Sequence, residues 1–107
     1  MTFFEEELKH GVFQICYCKK CNNTIWPTNE ICHVCHKKTE WKKSRNIGRI
    51  IEFSKKDSSY FGLVEIDNGI RVLGEILSTS MPEIDQSVKM RVSFHSKPHY
   101  SFIVENN

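Results

Sequence analysis

The second half of the chain is dominated by an alternation of apolar and polar residues. The alternation is clearest at 88–94, where Val88, Met90, Val92 and Phe94 are separated by polar side chains. A period of two is that of a β-strand with one buried face. The same pattern predicts five strands, at 47–53, 60–66, 70–77, 88–94 and 100–104.

Turn-forming residues separate these predicted strands. The polar stretch 54–59 is predicted as a turn, and Lys97-Pro98 is predicted to reverse the chain before the last strand. Asn68-Gly69 predicts a tight hairpin, because these residue types adopt the positive backbone angles that such a turn requires.

Five short antiparallel strands favour a closed barrel. Closure removes the exposed edges that an open sheet would present. A small Greek-key barrel of the oligonucleotide/oligosaccharide-binding type (OB-fold) accommodates five strands. A five-stranded sandwich and an SH3-like barrel remain as alternatives.

The start of the chain follows a helical pattern. Phe4 and Leu8 lie one helical turn apart, and three glutamates stand near the positive end of the helix dipole. We therefore predict a short helix over 2–10, followed by Gly11 as the residue after its C-terminus. So short a helix must dock through Phe3, Phe4 and Leu8.

Four cysteines are spaced for a metal ion. They form two Cys-x2-Cys pairs, Cys18 with Cys21 and Cys32 with Cys35, with ten residues between the pairs. Each pair places two thiolates on one tight turn, and two such turns converge on a tetrahedral zinc ion. The spacing predicts a rubredoxin-like zinc ribbon with one zinc per chain. Iron is the alternative metal and would make an electron carrier, which the basic character of this ribbon disfavours.

The ribbon is predicted to depend on that metal. Residues 16–35 are poor in core residues and cannot order themselves by apolar burial alone. Residues 37–45 are predicted as a basic, polar connector that holds Trp41. The predicted fold class is mainly β, with the N-terminal helix and zinc ribbon at 1–45 and the OB-fold barrel at 46–107.

Three reactive residues near the ribbon are predicted not to bind the metal. Cys16 lies outside the ligand spacing and is predicted to be a buried free thiol. His33 and His36 flank Cys35, but four cysteines already complete a tetrahedral site. We therefore predict these histidines to be surface residues or neighbours of the ligands.

Composition and the motifs present narrow the range of functions that the chain could have. The chain has 107 residues, 15 Lys and Arg against 13 Asp and Glu, and a formal charge of +2. That charge disfavours nucleic acid and membrane as default partners. No apolar run approaches the ~20 residues of a spanning helix, so we expect a soluble, cytoplasmic protein. No phosphate loop, nucleophile elbow or paired-carboxylate motif is present, so we expect a binding or assembly module with no catalytic residues.

The basic residues of the first half have two interpretations. Lys19, Lys20, Lys37 and Lys38 offset the negative charge of a zinc ion bound by four thiolates. Alternatively they form a phosphate-attracting face. That face would be continued by Lys42, Lys43, Arg45 and Arg49.

The order of these parts resembles a known family. The resemblance rests on residues 13–21, on Trp26-Pro27 ahead of Cys32, on residues 44–50 and on the Asp-Asn-Gly hairpin. It spans nearly the whole chain. The sequence is similar to the acyl-CoA-associated zinc-ribbon/OB-fold proteins of domain-of-unknown-function family 35 (DUF35).

The resemblance implies an accessory subunit rather than an enzyme. Members of that family are usually small non-catalytic subunits bound to a thiolase-type enzyme. Bacterial relatives accompany thiolases of steroid or aromatic degradation, and others accompany acyltransferases. In archaea such a subunit is a scaffold that joins acetoacetyl-CoA thiolase to hydroxymethylglutaryl-CoA synthase in the mevalonate pathway. The resemblance also implies that this chain assists the binding or channelling of acyl-CoA. The residues expected to contact ligand or partner are Trp26, Trp41, Lys42, Lys43, Arg45 and Arg49.

A single-stranded nucleic-acid-binding module is the alternative. Ribbons and OB barrels both occur in proteins that stack bases on aromatic side chains in a basic groove. Tyr60 and Phe61 on one predicted strand, with Arg71 opposite, are the stacking candidates. The charge of +2 is low for this function.

Overall fold

The chain forms one helix and eight strands in the computed structural model, which describes residues 2–67 and 69–105. The strands divide into a three-stranded sheet and a closed five-stranded barrel. The elements are α1 (Phe3–Lys9), β1 (Gln14–Cys18), β2 (Asn23–Ile25), β3 (Glu40–Lys43), β4 (Ile47–Lys56), β5 (Ser59–Ile66), β6 (Ile70–Leu77), β7 (Ser87–His95) and β8 (Lys97–Val104).

The predicted N-terminal helix is confirmed. The Thr2 side chain accepts a hydrogen bond from the Glu5 backbone, and the Glu5 carboxylate accepts one from the Thr2 backbone, which makes a capping box. Leu8 is fully buried, and Gly11 takes a φ of 76° just beyond the helix. Within the described ranges no helix is long and apolar enough to cross a membrane.

The predicted mainly-β fold class with a five-stranded barrel is confirmed. The barrel order is β4-β5-β6-β8-β7, and β7 pairs with β4 to close it. The prediction of uniformly antiparallel strands was wrong, because β6 and β8 pair in parallel. Their order along the chain puts β7 between them in sequence, and no local pattern encodes that arrangement.

The alternating residues fill the barrel as predicted. Val88, Met90 and Val92 of β7 face inward, and Phe102 of β8 is fully buried. At Gly62 the backbones of β4 and β5 approach each other closely. A Cβ placed on Gly62 would lie 2.5 Å from the Glu52 carbonyl oxygen. The wall of β4 and β5 therefore requires glycine there.

Two predicted turns are shorter than expected. Residues 54–56 continue β4, and the turn consists of Asp57 and Ser58, with Asp57 at a φ of 57°. Lys97 and Pro98 belong to β8, and Ser96, at a φ of 67°, makes the reversal. Both turns use non-glycine residues with positive φ, which residue type alone rarely signals.

The predicted hairpin between 60–66 and 70–77 is present. Ile66 pairs with Ile70, and the pairing continues along both strands to Tyr60 and Ile76. Asn68, on which the turn prediction partly rested, lies outside the described residues.

The first half contains a small sheet whose strand pairing the sequence did not predict. Its order is β2-β1-β3, and both outer strands run antiparallel to β1. Residues 40–43 of the predicted connector form β3, so the description of 37–45 as a connector was wrong for that part. The strand is polar because it lies at the edge of the sheet, where hydrogen bonds to β1 define it and apolar burial does not.

An aromatic cluster joins the small sheet to the barrel. Phe13 is buried, and its ring centroid lies 5.2 Å from that of Trp26 and 5.8 Å from those of Phe4 and Tyr100. Phe13 thus belongs to the same core as the barrel residues. The division of the chain into domains at 45/46 stays a prediction.

Candidate metal centre and basic groove

The four cysteines lie on two similar turns. Cys18 ends β1 and Cys21 follows it, while Cys32 and Cys35 form the second turn beside an isolated bridge between Ile31 and Lys38. The residue after each pair has positive φ: Asn22 at 53° and His36 at 62°. Asn and His are among the residue types that tolerate this conformation. His36 therefore has a backbone role in the turn.

The four sulfurs form a cluster. All of them lie within 4.8 Å of one another, with 3.5 Å between the sulfurs of Cys18 and Cys35 and 3.9 Å between those of Cys21 and Cys32. A zinc–sulfur bond of ~2.3 Å places the sulfurs of a regular tetrahedron about 3.8 Å apart. The cluster therefore has the dimensions of a tetrahedral metal site.

Backbone amides stabilise negative charge on the cluster. The amide of Cys21 donates to the Cys18 sulfur at 3.5 Å, and that of Val34 donates to the Cys32 sulfur at 3.4 Å. Donation from the backbone amides of Cys35 and Val34 lowers the pKa of Cys32 to about 6. The hydrogen bond with Cys35, together with burial, raises the pKa of Cys21 to about 12. Cysteine binds a metal ion in its deprotonated form, so amide donation to the sulfurs favours the form that binds a cation.

Cys16 and the two histidines lie as expected around this cluster. Cys16 is fully buried and packs with Cys18, Ile25 and Cys32. His33 and His36 are exposed. Within the described part of the chain, the clustered metal-ligand atoms come from the four cysteines alone.

Three of the predicted basic contact residues line one groove. Lys42, Lys43 and Arg45 border a groove of about 670 Å³ between the three-stranded sheet and the hairpin end at Asp67. The ammonium of Lys42 lies 5.4 Å from the centre of the Tyr17 ring. We call this the basic groove. It is open to solvent and offers three cations against one carboxylate.

The polar residues of the basic groove were missed by the sequence analysis. They are Tyr17, Asn22, Asn23 and Thr24. Tyr17 and Thr24 are paired across β1 and β2, and the Tyr17 hydroxyl donates to the side-chain oxygen of Asn22. Ile15 and Tyr17 alternate with Cys16 and Cys18 along the chain. This alternation was the available signal that Ile15 and Tyr17 lie on the face of β1 opposite the cysteines.

Arg49 does not continue the basic face, which corrects the prediction. It makes ion pairs with Glu65, at 3.4 Å, and with Asp85, and these raise its pKa. Arg49 is thus neutralised on the barrel wall and is not a lining residue of the basic groove.

The two tryptophans also lie outside the basic groove. Trp26 is half-buried in the aromatic cluster with Phe4 and Phe13. Trp41 is half-buried on β3, packs against the cysteine cluster and contacts Phe3 with ring centroids 5.0 Å apart. Neither tryptophan is among the residues that line the basic groove.

The predicted nucleic-acid stacking set is not assembled. Arg71 pairs with Glu65 in register and forms an ion pair with it at 3.6 Å. The partner of Phe61 is Glu75, which lies about 13 Å further along β6 at ~3.3 Å per residue. Tyr60 packs on Phe53. Arg71 therefore does not lie opposite the two aromatic residues.

Comparison with known proteins gives a consistent set of similarities. No family model matches the chain. The chain is 22% identical over 89 residues to a DUF35 domain-containing scaffold protein of Methanocaldococcus jannaschii, an alignment that covers 72% of this chain. The match spans 63% of the length of that relative.

Two solved structures share the fold. One is the Ltp2-ChsH2(DUF35) aldolase, with a TM-score of 0.77 and 16% identity over 95% of this chain and 91% of the other. The second is a DUF35-family protein of unknown function from Sulfolobus solfataricus, with a TM-score of 0.70 and 17% identity over 95% of this chain and 82% of the other. The chain is therefore similar to DUF35 proteins in sequence and in fold, as its motifs predicted.

Proposed function

We propose that this chain is a non-catalytic, zinc-binding scaffold subunit of a thiolase-superfamily enzyme assembly. In this proposal it joins acetoacetyl-CoA thiolase to hydroxymethylglutaryl-CoA synthase at the start of the mevalonate pathway. The observation that carries the proposal is the similarity to the M. jannaschii scaffold protein, combined with a fold shared over 95% of the chain with DUF35 structures. The name of the Ltp2-ChsH2(DUF35) aldolase, which couples a DUF35 chain with an enzyme, supports the same role.

The proposed metal has a structural role. Cys18, Cys21, Cys32 and Cys35 would hold zinc, and the ion would cross-link two turns that share little apolar surface. Four protein ligands leave no open coordination position for a substrate or water. Zinc would therefore order the ribbon so that it can serve as a binding surface.

The basic groove is the proposed contact for coenzyme A. Acyl-CoA carries phosphate groups, and lysine and arginine bind phosphate through charge-assisted hydrogen bonds. Lys42, Lys43 and Arg45 supply these cations along one groove. Such a contact would hold the nucleotide end of the cofactor while the acyl end reaches an enzyme's active site.

Purification from the native organism tests the scaffold role. We expect the tagged chain to carry one zinc ion and to bring thiolase and synthase subunits in a fixed ratio, as measured by native mass spectrometry and metal analysis. A chain that arrives alone, or with nucleic acid, would contradict the proposal. A coloured, iron-containing protein would instead support electron transfer.

Charge reversal tests the coenzyme contact. Combining Lys43→Glu with Arg45→Glu is expected to weaken coenzyme A binding by about tenfold or more in isothermal titration calorimetry, because two phosphate contacts become repulsive. The matched control is Lys56→Glu, an exposed cation at the far end of β4 from Arg45. Equal affinity in both variants would remove the basic groove from the proposal.

A further inference from the structure

On one side of the barrel, the pairing between β6 and β8 covers only part of each strand. The two strands pair in parallel from Glu75 and Ser101 onward. Before these residues the two strands have no ladder pairing, although the Tyr100 backbone still lies close to Gly74. A groove of about 700 Å³ is lined by residues of β6 and the first half of β8. Among the described residues, no strand pairs with the facing edges of β6 and β8 along this groove. We call it the seam groove.

The two walls of the seam groove differ in chemistry. On the β5–β6 side, Phe61 and Leu73 expose 44% and 70% of their surfaces, which is a large apolar area for side chains in strands. On the β7–β8 side, Arg91 and Lys97 are exposed. Glu75 is the acid among the lining residues. A ligand lying across the groove would meet apolar surface on one side and positive charge on the other.

We propose that the seam groove binds an extended segment of a protein partner that carries apolar and acidic side chains. Free strand edges accept an extended chain through main-chain hydrogen bonds. Burial of Phe61 and Leu73 would supply apolar contact, and Arg91 and Lys97 would pair with carboxylates. The inference rests on the proposed function for the identity of the partner as a thiolase-type enzyme, but the peptide chemistry follows from the groove itself.

The lining residues favour a protein over nucleic acid. Leu73, the most exposed apolar residue of the groove, offers no flat surface for a base. Tyr100 is only partly exposed, and burial raises the pKa of its hydroxyl to about 12. Single-stranded nucleic-acid sites are instead built from several exposed aromatic residues in a basic channel.

Binding of simple probes tests the chemistry directly. The probes are a short fluorescent peptide in which leucine and glutamate alternate, its counterpart with lysine in place of glutamate, and oligothymidylate. We expect saturable binding of the acidic peptide in fluorescence anisotropy. Leu73→Asp should weaken it by about tenfold or more, because a central apolar contact is lost and like charges meet. Arg91→Glu should weaken it and reduce its dependence on salt.

The control variant is Met81→Asp. Met81 is also 70% exposed, but it precedes β7 and is not a lining residue of the seam groove. The affinity of the Met81→Asp variant for the acidic peptide should equal that of the unmodified chain. No saturable binding of the acidic peptide, equal binding of the basic peptide, or tighter binding of oligothymidylate would each overturn the inference.

A second arm uses the enzyme that copurifies with the chain. Leu73→Asp should reduce capture of the thiolase-type enzyme by about tenfold, whereas Met81→Asp should not. If both variants capture the enzyme equally, the seam groove is not its docking site and the scaffold role stands. If the unmodified chain captures no enzyme, the scaffold role fails and the peptide arm alone decides the inference.

Discussion

The ribbon and the barrel reach order by different means. The three strands of the ribbon have five, three and four residues, and the buried cluster beside them consists of Cys16, Cys18, Ile25 and Cys32. The barrel strands have eight to ten residues and enclose a continuous apolar core. The comparison indicates that apolar burial and strand closure are sufficient for the barrel, whereas the ribbon requires a cross-link at its centre.

Loss of one metal ligand should have the largest effect. We expect Cys21→Ala to abolish zinc binding, since structural zinc contributes about 10–16 kcal/mol to the folding of small zinc domains. Residues near 16–45 should lose dispersion in NMR spectra while barrel resonances persist. Cys16→Ala is the matched control, because Cys16 is buried beside the cluster without belonging to the group of four. Full zinc retention in Cys21→Ala would show that the ligand set is wrong.

Truncation of the barrel core should have the next largest effect. Phe102 is fully buried at the centre of β8, so Phe102→Ala should lower the free energy of unfolding by about 3–5 kcal/mol through lost burial and a cavity. Leu73→Ala, at a side chain 70% exposed, should change it by less than about 0.5 kcal/mol. Urea denaturation measures both. Similar losses for the two variants would contradict the assignment of the core.

The junction between the two regions should have an intermediate effect. Trp26 packs on Phe13, which lies in the barrel core, so Trp26→Leu should lower the free energy of unfolding by about 1–2 kcal/mol. It should also increase amide exchange on both sides of the junction. Trp41→Leu is the control, because Trp41 packs against the cysteine cluster and Phe3 of α1, and the effect of this substitution should stay within the ribbon and α1.

The helix cap should have the smallest effect. Thr2→Ala removes the side-chain oxygen that accepts the Glu5 amide, and we expect a loss of about 1 kcal/mol in the free energy of unfolding. Thr2→Ser keeps the oxygen and should restore stability. Circular dichroism during urea denaturation measures the stability of both variants. An unchanged free energy of unfolding in Thr2→Ala would show that the capping box does not stabilise the helix.

The parts of the fold with strong local patterns were predictable. The alternation at 88–94, the hairpin strands and the N-terminal helix are local features, and their positions agree with β7, β5–β6 and α1. The clustering of the four cysteines followed from their spacing. Each of these features depends on residues close together in the chain.

Other features depend on contacts between distant residues, and these were missed. β3 is polar and is defined by its pairing with β1, which lies 23 to 29 positions earlier in the chain, from Tyr17 with Glu40 to Gln14 with Lys43. Arg49 is neutralised by Asp85, 36 residues away, so its charge could not be assigned from its neighbours. The parallel pairing of β6 with β8, and with it the seam groove, is a property of the closed barrel.

Removal of the metal tests the central claim most directly. The zinc-loaded chain would be treated with a chelator, and amide hydrogen exchange would be followed residue by residue before and after zinc is restored. We predict that protection is lost at β1, β2, β3 and the cysteine turns, is kept in the barrel strands, and returns with zinc. Unchanged protection in the ribbon, or a simultaneous loss of protection in both regions, would contradict a metal-ordered ribbon on a self-sufficient barrel.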